Sequence, residues 1–138
     1  MNTWGMTSES GIFVTGARWI FGLLYAAAGV WIASSFVGIG SPPPQPTAAA
    51  AFTGALTQIA IFDPLLALIY VIGGGALLRR HTTSLGIVLL APAVVAIFLF
   101  HLVLSGQWIW GSLNFIWLVA FARILRSAFT GLWNHDRA

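Results

Sequence analysis

The sequence predicts an all-α protein, an integral membrane four-helix up-and-down bundle with both termini in the cytoplasm. Three observations lead there. Of the 138 residues, 59% are hydrophobic and 7% charged, with a mean hydropathy of +0.92. A soluble domain carries about 25% charged residues, so this chain could not cover a surface facing water and lipid is its expected solvent. Apolar residues fall into four segments, each close to the ~20 residues that a spanning helix needs. The basic residues, all arginine, cluster at three places that four crossings would bring to one side of the membrane.

Helix one is placed at about 12–37. It could be mistaken for a secretion signal, but it is longer than a typical signal core and Arg18 lies inside the apolar run rather than before it, so a retained span is expected. Residues 1–11 form an N-terminal tail. Pro42, Pro43, Pro44 and Pro46 then forbid helix and predict an extended segment, after which Ala48 to Gln58 suits a short helix lying at the interface. Helix two is placed at about 60–79, helix three at 84–105 and helix four at 109–130, closing a domain of residues 12–130 before a tail of 131–138. The short links, Arg79 to Ser84 and Ser105 to Gln107, force helices two, three and four to run antiparallel.

Orientation follows from charge. Arg18, the pair Arg79 and Arg80, and Arg123, Arg126 and Arg137 share one side, while 38–62 and 105–110 contain no Lys or Arg. The positive-inside rule puts the arginine side in the cytoplasm. Trp108 and Trp110 would then occupy the outer interfacial belt, with Trp4 and Trp133 near the inner one. Helices in lipid associate through small residues that allow close approach. Gly22, Ala26, Gly29 and Ala33 form such a stripe on helix one, with Arg18 on the same face, and Gly73 to Gly75 call for close backbone contact or a kink in helix two.

Polar residues at membrane depth need a reason to be there, since a charge at a helix centre costs roughly 2.5–3.5 kcal/mol on insertion scales. Asp63, His101 and Asn114 should reach similar depth from helices two, three and four, with Gln58, Ser34, Ser35 and Ser112 able to join them. The expected result is a polar cavity opening outward, suited to a proton relay or to hydrogen bonds with a quinone or another polar headgroup. Plainer roles compete. Asp63 before Pro64 reads as a helix cap; His101 and Asn114 read as hydrogen-bonding glue between helices; Arg18 reads as a residue extending its charge to the headgroups.

Other chemistries find no support in the residues. Without cysteine there is no thiolate, disulfide or Cys–Zn site. His101 is the lone histidine inside an apolar segment, which does not suit a bis-histidine haem, and no spacing of His, Asp and Glu resembles a metal site. No nucleophile–base–acid set is present, so no catalytic residue is assigned. A net charge of +3 is too small and too scattered for nucleic acid.

The order of features resembles the DoxX family of small four-helix bacterial membrane proteins. The residues that carry the likeness are RWIFGLLYAAAG with Arg18, Gly22 and Gly29, then AAFTGALTQIAIFDPLLALIYVIGGGALLRR, then Pro92 and the FLFH ending at His101, together covering about 12–130. Members often carry a lysine after the glycine of helix one, where this chain has Val30, Trp31 and Ile32. The resemblance implies a multi-pass protein of the bacterial cytoplasmic (inner) membrane. It would be a subunit or assembly partner of a quinone- or redox-linked complex handling oxidative or thiol stress rather than a stand-alone enzyme. Its partners would be the bilayer and another protein or further copies of itself. Two other readings are a small transporter, with Arg18, Asp63 and His101 lining a path, and a structural, lipid-organising protein.

Overall fold

A computed structural model describes residues 8–39 and 44–126. All the regular structure among these residues is helical, with no strand. Helix α1 is Ser8–Ser35, α2 is Thr47–Thr57, α3 is Phe62–Leu78, α4 is Thr83–Phe100 and α5 is Trp108–Ile124. A 3-10 turn, Arg80–Thr82, joins α3 to α4, and α4 runs on into a π-helical turn, His101–Ser105.

Length and composition suit two runs to crossing a membrane, Gly11–Ser35 and Arg80–Ser105, and a third if α2 and α3 count as one span bent by 95°. At about 1.5 Å per residue, the 17 residues of α3 and of α5 give roughly 25 Å, short of a hydrocarbon core of about 30 Å. The short helix expected over Ala48 to Gln58 is present as α2, and helix two starts at Phe62 rather than at 60. Ile59 to Ile61 form a turn, and the chain before them leaves at nearly a right angle as α2. The far end of helix four, 127–130, lies outside the described residues, as do Trp4, Trp133 and Arg137.

The element ends have local causes. α1 stops at Ser35 rather than 37, because Gly38 adopts a left-handed φ of 76° and the Ser34 hydroxyl donates to the carbonyls of Trp31 and Ile39. Pro46, with φ −53° and ψ 149°, is extended and caps α2. α3 ends where Arg79 turns extended, at φ −102° and ψ 129°. Gly106, at φ 69°, closes the π turn in a conformation that costs an L residue about 1–2 kcal/mol.

Packing joins α1 to α3, α3 to α4 and α4 to α5. The first seam is set by glycine. A Cβ on Gly74 would lie 2.5 Å from the Ala26 backbone nitrogen and 2.7 Å from the Gly22 carbonyl oxygen. One on Gly29 would lie 2.8 Å from the Ala67 carbonyl oxygen. Gly86 of α4 approaches the Gly73 carbonyl in the same way, at 2.8 Å. The stripe expected on α1 therefore works at Gly22, Ala26 and Gly29, but Ala33 is exposed. Between α1 and α5 the contact is of another kind, made by long side chains: Phe21 stacks on Trp117 with centroids 4.3 Å apart. The core comprises Leu77, Leu90 and Val94, fully enclosed, with Tyr25, Tyr70, Trp117, Leu118 and Phe121 around them.

α2 is not a free interfacial helix along its whole length. Ala49 is completely buried, and the Phe52 ring lies 6.0 Å from that of Phe100. α2 thus rests against α3 and the π turn, at the end of the molecule away from Arg79 and Arg80.

Candidate functional site

α1 and α5 are held apart by aromatic side chains, and the gap left between them and α3 and α4 is a cavity of about 330 Å³. Leu24, Ala28 and Ile97 give it apolar walls; Tyr25, Tyr70, His101, Gln107, Trp110 and Asn114 supply polar groups. The cavity is an open groove, with Leu24 and Trp110 exposed at its edge, and an apolar cleft with a few convergent polar groups is the usual form of a small-molecule site.

Each polar group is placed by its element. Tyr25 projects from α1 one turn beyond Gly22. Close approach of α1 to α3 brings it edge-on to Tyr70, with centroids 5.5 Å apart. Its hydroxyl donates to Asn114 Oδ1 at 2.7 Å, a buried bond linking α1 to α5. Asn114 Nδ2 donates back one turn to the Trp110 carbonyl at 2.8 Å. Gly111 lets α5 approach the π turn: a Cβ there would lie 2.9 Å from His101 Cβ and 3.1 Å from the Phe98 carbonyl oxygen. The His101 ring pairs through Nδ1 with Ser105 Oγ at 2.7 Å. π turns are rare and frequent at functional sites, and this one sets the angle at which α4 delivers His101.

Of the residues expected to meet, His101 and Asn114 do line one cavity. Asp63 does not. It lies in the first turn of α3, half-buried, and Tyr70 of that helix takes the place at the cavity wall. Nor is Asp63 the cap of α3. Ile61 holds the cap position and no side chain closes it, because the helix begins a residue earlier than Asp63. Arg18 is remote from the cavity, at the opposite end of the α1–α3 seam. Its Nη1 lies 3.5 Å from the Thr83 hydroxyl, and its Nε is sealed from solvent without a partner among the described residues. Of the residues expected to join, Gln58 and Ser35 are exposed, while Ser34 and Ser35 turn their hydroxyls onto carbonyls of their own helix; Gln58, Ser34, Ser35 and Ser112 are not among the cavity residues.

Sequence reasoning passed over Tyr25, Tyr70 and Gln107. A signal for the tyrosines was present: they are the two tyrosines of the chain, both within apolar helices, where a hydroxyl must find a partner or a cavity. Gln107 sits in a link too short to predict as anything but a turn.

The arginine-bearing segments share one end. Arg18 reaches Thr83, directly after the Arg79–Thr82 link, and the Phe21–Trp117 stack sets Arg123 of α5 toward the same end. The cavity, with Gln107 and Trp110, belongs to the other. Comparison with models of known families, with characterised proteins and with solved structures finds no match to this chain.

Proposed function

We propose that this chain is a DoxX-like protein of the bacterial cytoplasmic membrane. It would cross the bilayer four times, keep both termini inside, and serve as a non-catalytic subunit or assembly partner of a quinone- or redox-linked complex. The observation that carries the reading is the cavity between α1, α3, α4 and α5. Its walls are apolar, and tyrosine, histidine and asparagine converge in it at the end away from the arginines. Such an open groove suits a ligand that arrives from the lipid phase with a polar head. The sequence order around Arg18, Gly22, Pro92 and His101 supports the family assignment, and the single-ended arginines support the orientation.

With neither cysteine nor an assigned catalytic set, this chain's contribution is a binding surface, and electron transfer belongs to a partner. A transport path is less well supported. It would have to connect Arg18 with His101, and the interval is filled by Gly22 against Gly74 and by the Tyr25, Tyr70 and Trp117 cluster.

The test is purification in mild detergent from its native membrane, followed by mass spectrometry of bound protein and extracted lipid. The proposal expects a stoichiometric quinone or a co-purifying redox subunit. Recovery of this chain with phospholipid alone would overturn it.

A further inference from the structure

Arg18 carries a charge whose surroundings are incomplete. It stands one turn before Gly22, half-buried at the end of the α1–α3 seam, and reaches across to the start of α4. Its Nε is sealed from solvent with no partner among the described residues, and its Nη1 has Thr83 Oγ1 at 3.5 Å, the outer limit of a hydrogen bond. Thr83 accepts there, since its own proton faces the carbonyls of Arg79 and Arg80 at 2.9 and 3.2 Å. Nη2 makes no hydrogen bond to a described residue and, unlike Nε, is not sealed. A partly buried cation needs a counter-charge, and the chain offers few. Of its three acids, Asp63 stands at the far end of α3. Glu9 precedes Arg18 on α1 by roughly 13 Å along the axis, and Asp136 lies outside the described residues. The charges beside Arg18 are alike: Arg79 and Arg80, both exposed, belong to the link that delivers Thr83. Thr82, the N-cap of α4, turns its hydroxyl back onto the Ala76 carbonyl at 2.8 Å and closes no N–H of α4, so the positive end of that helix adds to the field.

The level is that of the headgroups. The helical run Arg80–Ser105 has 26 residues, roughly 39 Å of helix, against a hydrocarbon core of about 30 Å. Its ends therefore stand in the interface, and Trp19, beside Arg18 and 47% exposed, suits the aromatic belt there. We propose that Arg18, backed by Arg79 and Arg80, binds the phosphate of an anionic phospholipid in the cytoplasmic leaflet. The site lies at the end opposite the cavity. It rests on the chain spanning a membrane with its arginines inside, and not on the cavity's ligand. A guanidinium fork presents parallel N–H donors that match phosphate oxygens. The half-buried stem of Arg18, held at Thr83, aims that fork at one place, whereas Arg79 and Arg80, on exposed stems, supply attraction without direction. Headgroup choice follows from the want of a carboxylate beside Arg18. A phosphate neutralised by its own amine brings an ammonium that has only guanidinium groups to meet, so phosphatidylglycerol is selected over phosphatidylethanolamine. The lipid is favoured over free phosphate because Trp19 and Leu85, within a turn of Arg18 and Thr83, are exposed apolar residues that give acyl chains a footing.

The experiment titrates the full chain, in mild detergent, with each lipid and reads the bound fraction by native mass spectrometry. Wild type should hold phosphatidylglycerol more tightly than phosphatidylethanolamine. Arg18→Gln should weaken phosphatidylglycerol by about tenfold or more, the loss expected for hydrogen bonds to a charged group. Arg18→Lys should recover part of that loss, since it restores the charge without the fork. Arg126→Gln removes the same charge from an exposed position just past α5 and should cost about twofold at most. Equal retention of the two lipids by wild type would overturn the headgroup choice. Equal losses in Arg18→Gln and Arg126→Gln would overturn the site and leave a diffuse basic surface in its place. Release of the bound lipid by millimolar inorganic phosphate would make a soluble phosphate the ligand and overturn the lipid assignment. If Arg18→Gln does not fold, Arg18→Lys decides: affinity equal to wild type would overturn the role of the fork. Each of these failures leaves the cavity and its ligand untouched.

Discussion

Gly74→Ala and Gly75→Ala are chemically identical changes one residue apart, and the structure separates them sharply. A Cβ on Gly74 would stand 2.5 Å from the Ala26 nitrogen and 2.7 Å from the Gly22 carbonyl oxygen. Both obstacles are backbone, so no rotamer change relieves them, and α1 and α3 must part by about 1 Å to restore ordinary contact. Overpacking of this kind costs roughly 1–3 kcal/mol. It also loosens dispersion contacts along a seam that, in lipid, has little else to hold it. A Cβ on Gly75 meets nothing within 4 Å. Replacing glycine by alanine inside a helix gains up to about 1 kcal/mol in propensity, and both variants receive that gain. Their difference therefore isolates the clash: Gly75→Ala should match or exceed wild type, and Gly74→Ala should fall below Gly75→Ala by about 1–3 kcal/mol. Reversible unfolding in mixed micelles, followed by Trp fluorescence, measures it. Equal stability of the two variants would refute the glycine-seam account of α1 on α3.

Two further outcomes follow from the cavity wall. Tyr25→Phe removes the bond to Asn114 Oδ1 and should cost about 1 kcal/mol. A double-mutant cycle with Asn114→Leu should give a coupling near the ~0.6 kcal/mol average for buried membrane pairs. Strict additivity would mean that the 2.7 Å contact contributes nothing. Gly111→Ala must push His101 or the Phe98 backbone aside. Duroquinone affinity should drop severalfold with a smaller change in thermal stability; unchanged affinity would remove His101 from the binding wall.

Much of the fold was legible because lipid imposes few choices. Low charge and apolar runs of helix length leave little but helices. The Gly22, Ala26, Gly29 stripe could be read because period and residue size alone determine where backbones approach. Depth could be read from short links, which is how His101 and Asn114 were expected at one level. Depth was read too coarsely for Asp63. Asp63 and Tyr70 are seven residues apart and share nearly one face of α3, but they differ by about 10 Å along it, and Tyr70 is the one level with the gap. Arg18 was grouped with the cavity because it shares a face with Gly22, yet along α1 it is displaced by about 10 Å from Tyr25, at 1.5 Å per residue, and meets Thr83 instead. A short helix lying at the interface before helix two was legible, but where the chain bends was not, since the residues from Ile59 to Ile61 continue the apolar pattern without a break. The π turn was invisible for the same reason: it adds one residue to a turn without altering composition.

The account depends above all on α1, α3, α4 and α5 standing across a bilayer with the arginine end inside and the cavity mouth outside. The chain has no cysteine, so single cysteines can be introduced as reporters at His81, Gln107 and Arg126, all outside the packed core. Labelling intact cells with a membrane-impermeant maleimide should modify Gln107→Cys, and should reach His81→Cys and Arg126→Cys only after the membrane is opened. Labelling of positions 81 and 126 from opposite sides, or equal labelling of all three in intact cells, would contradict it.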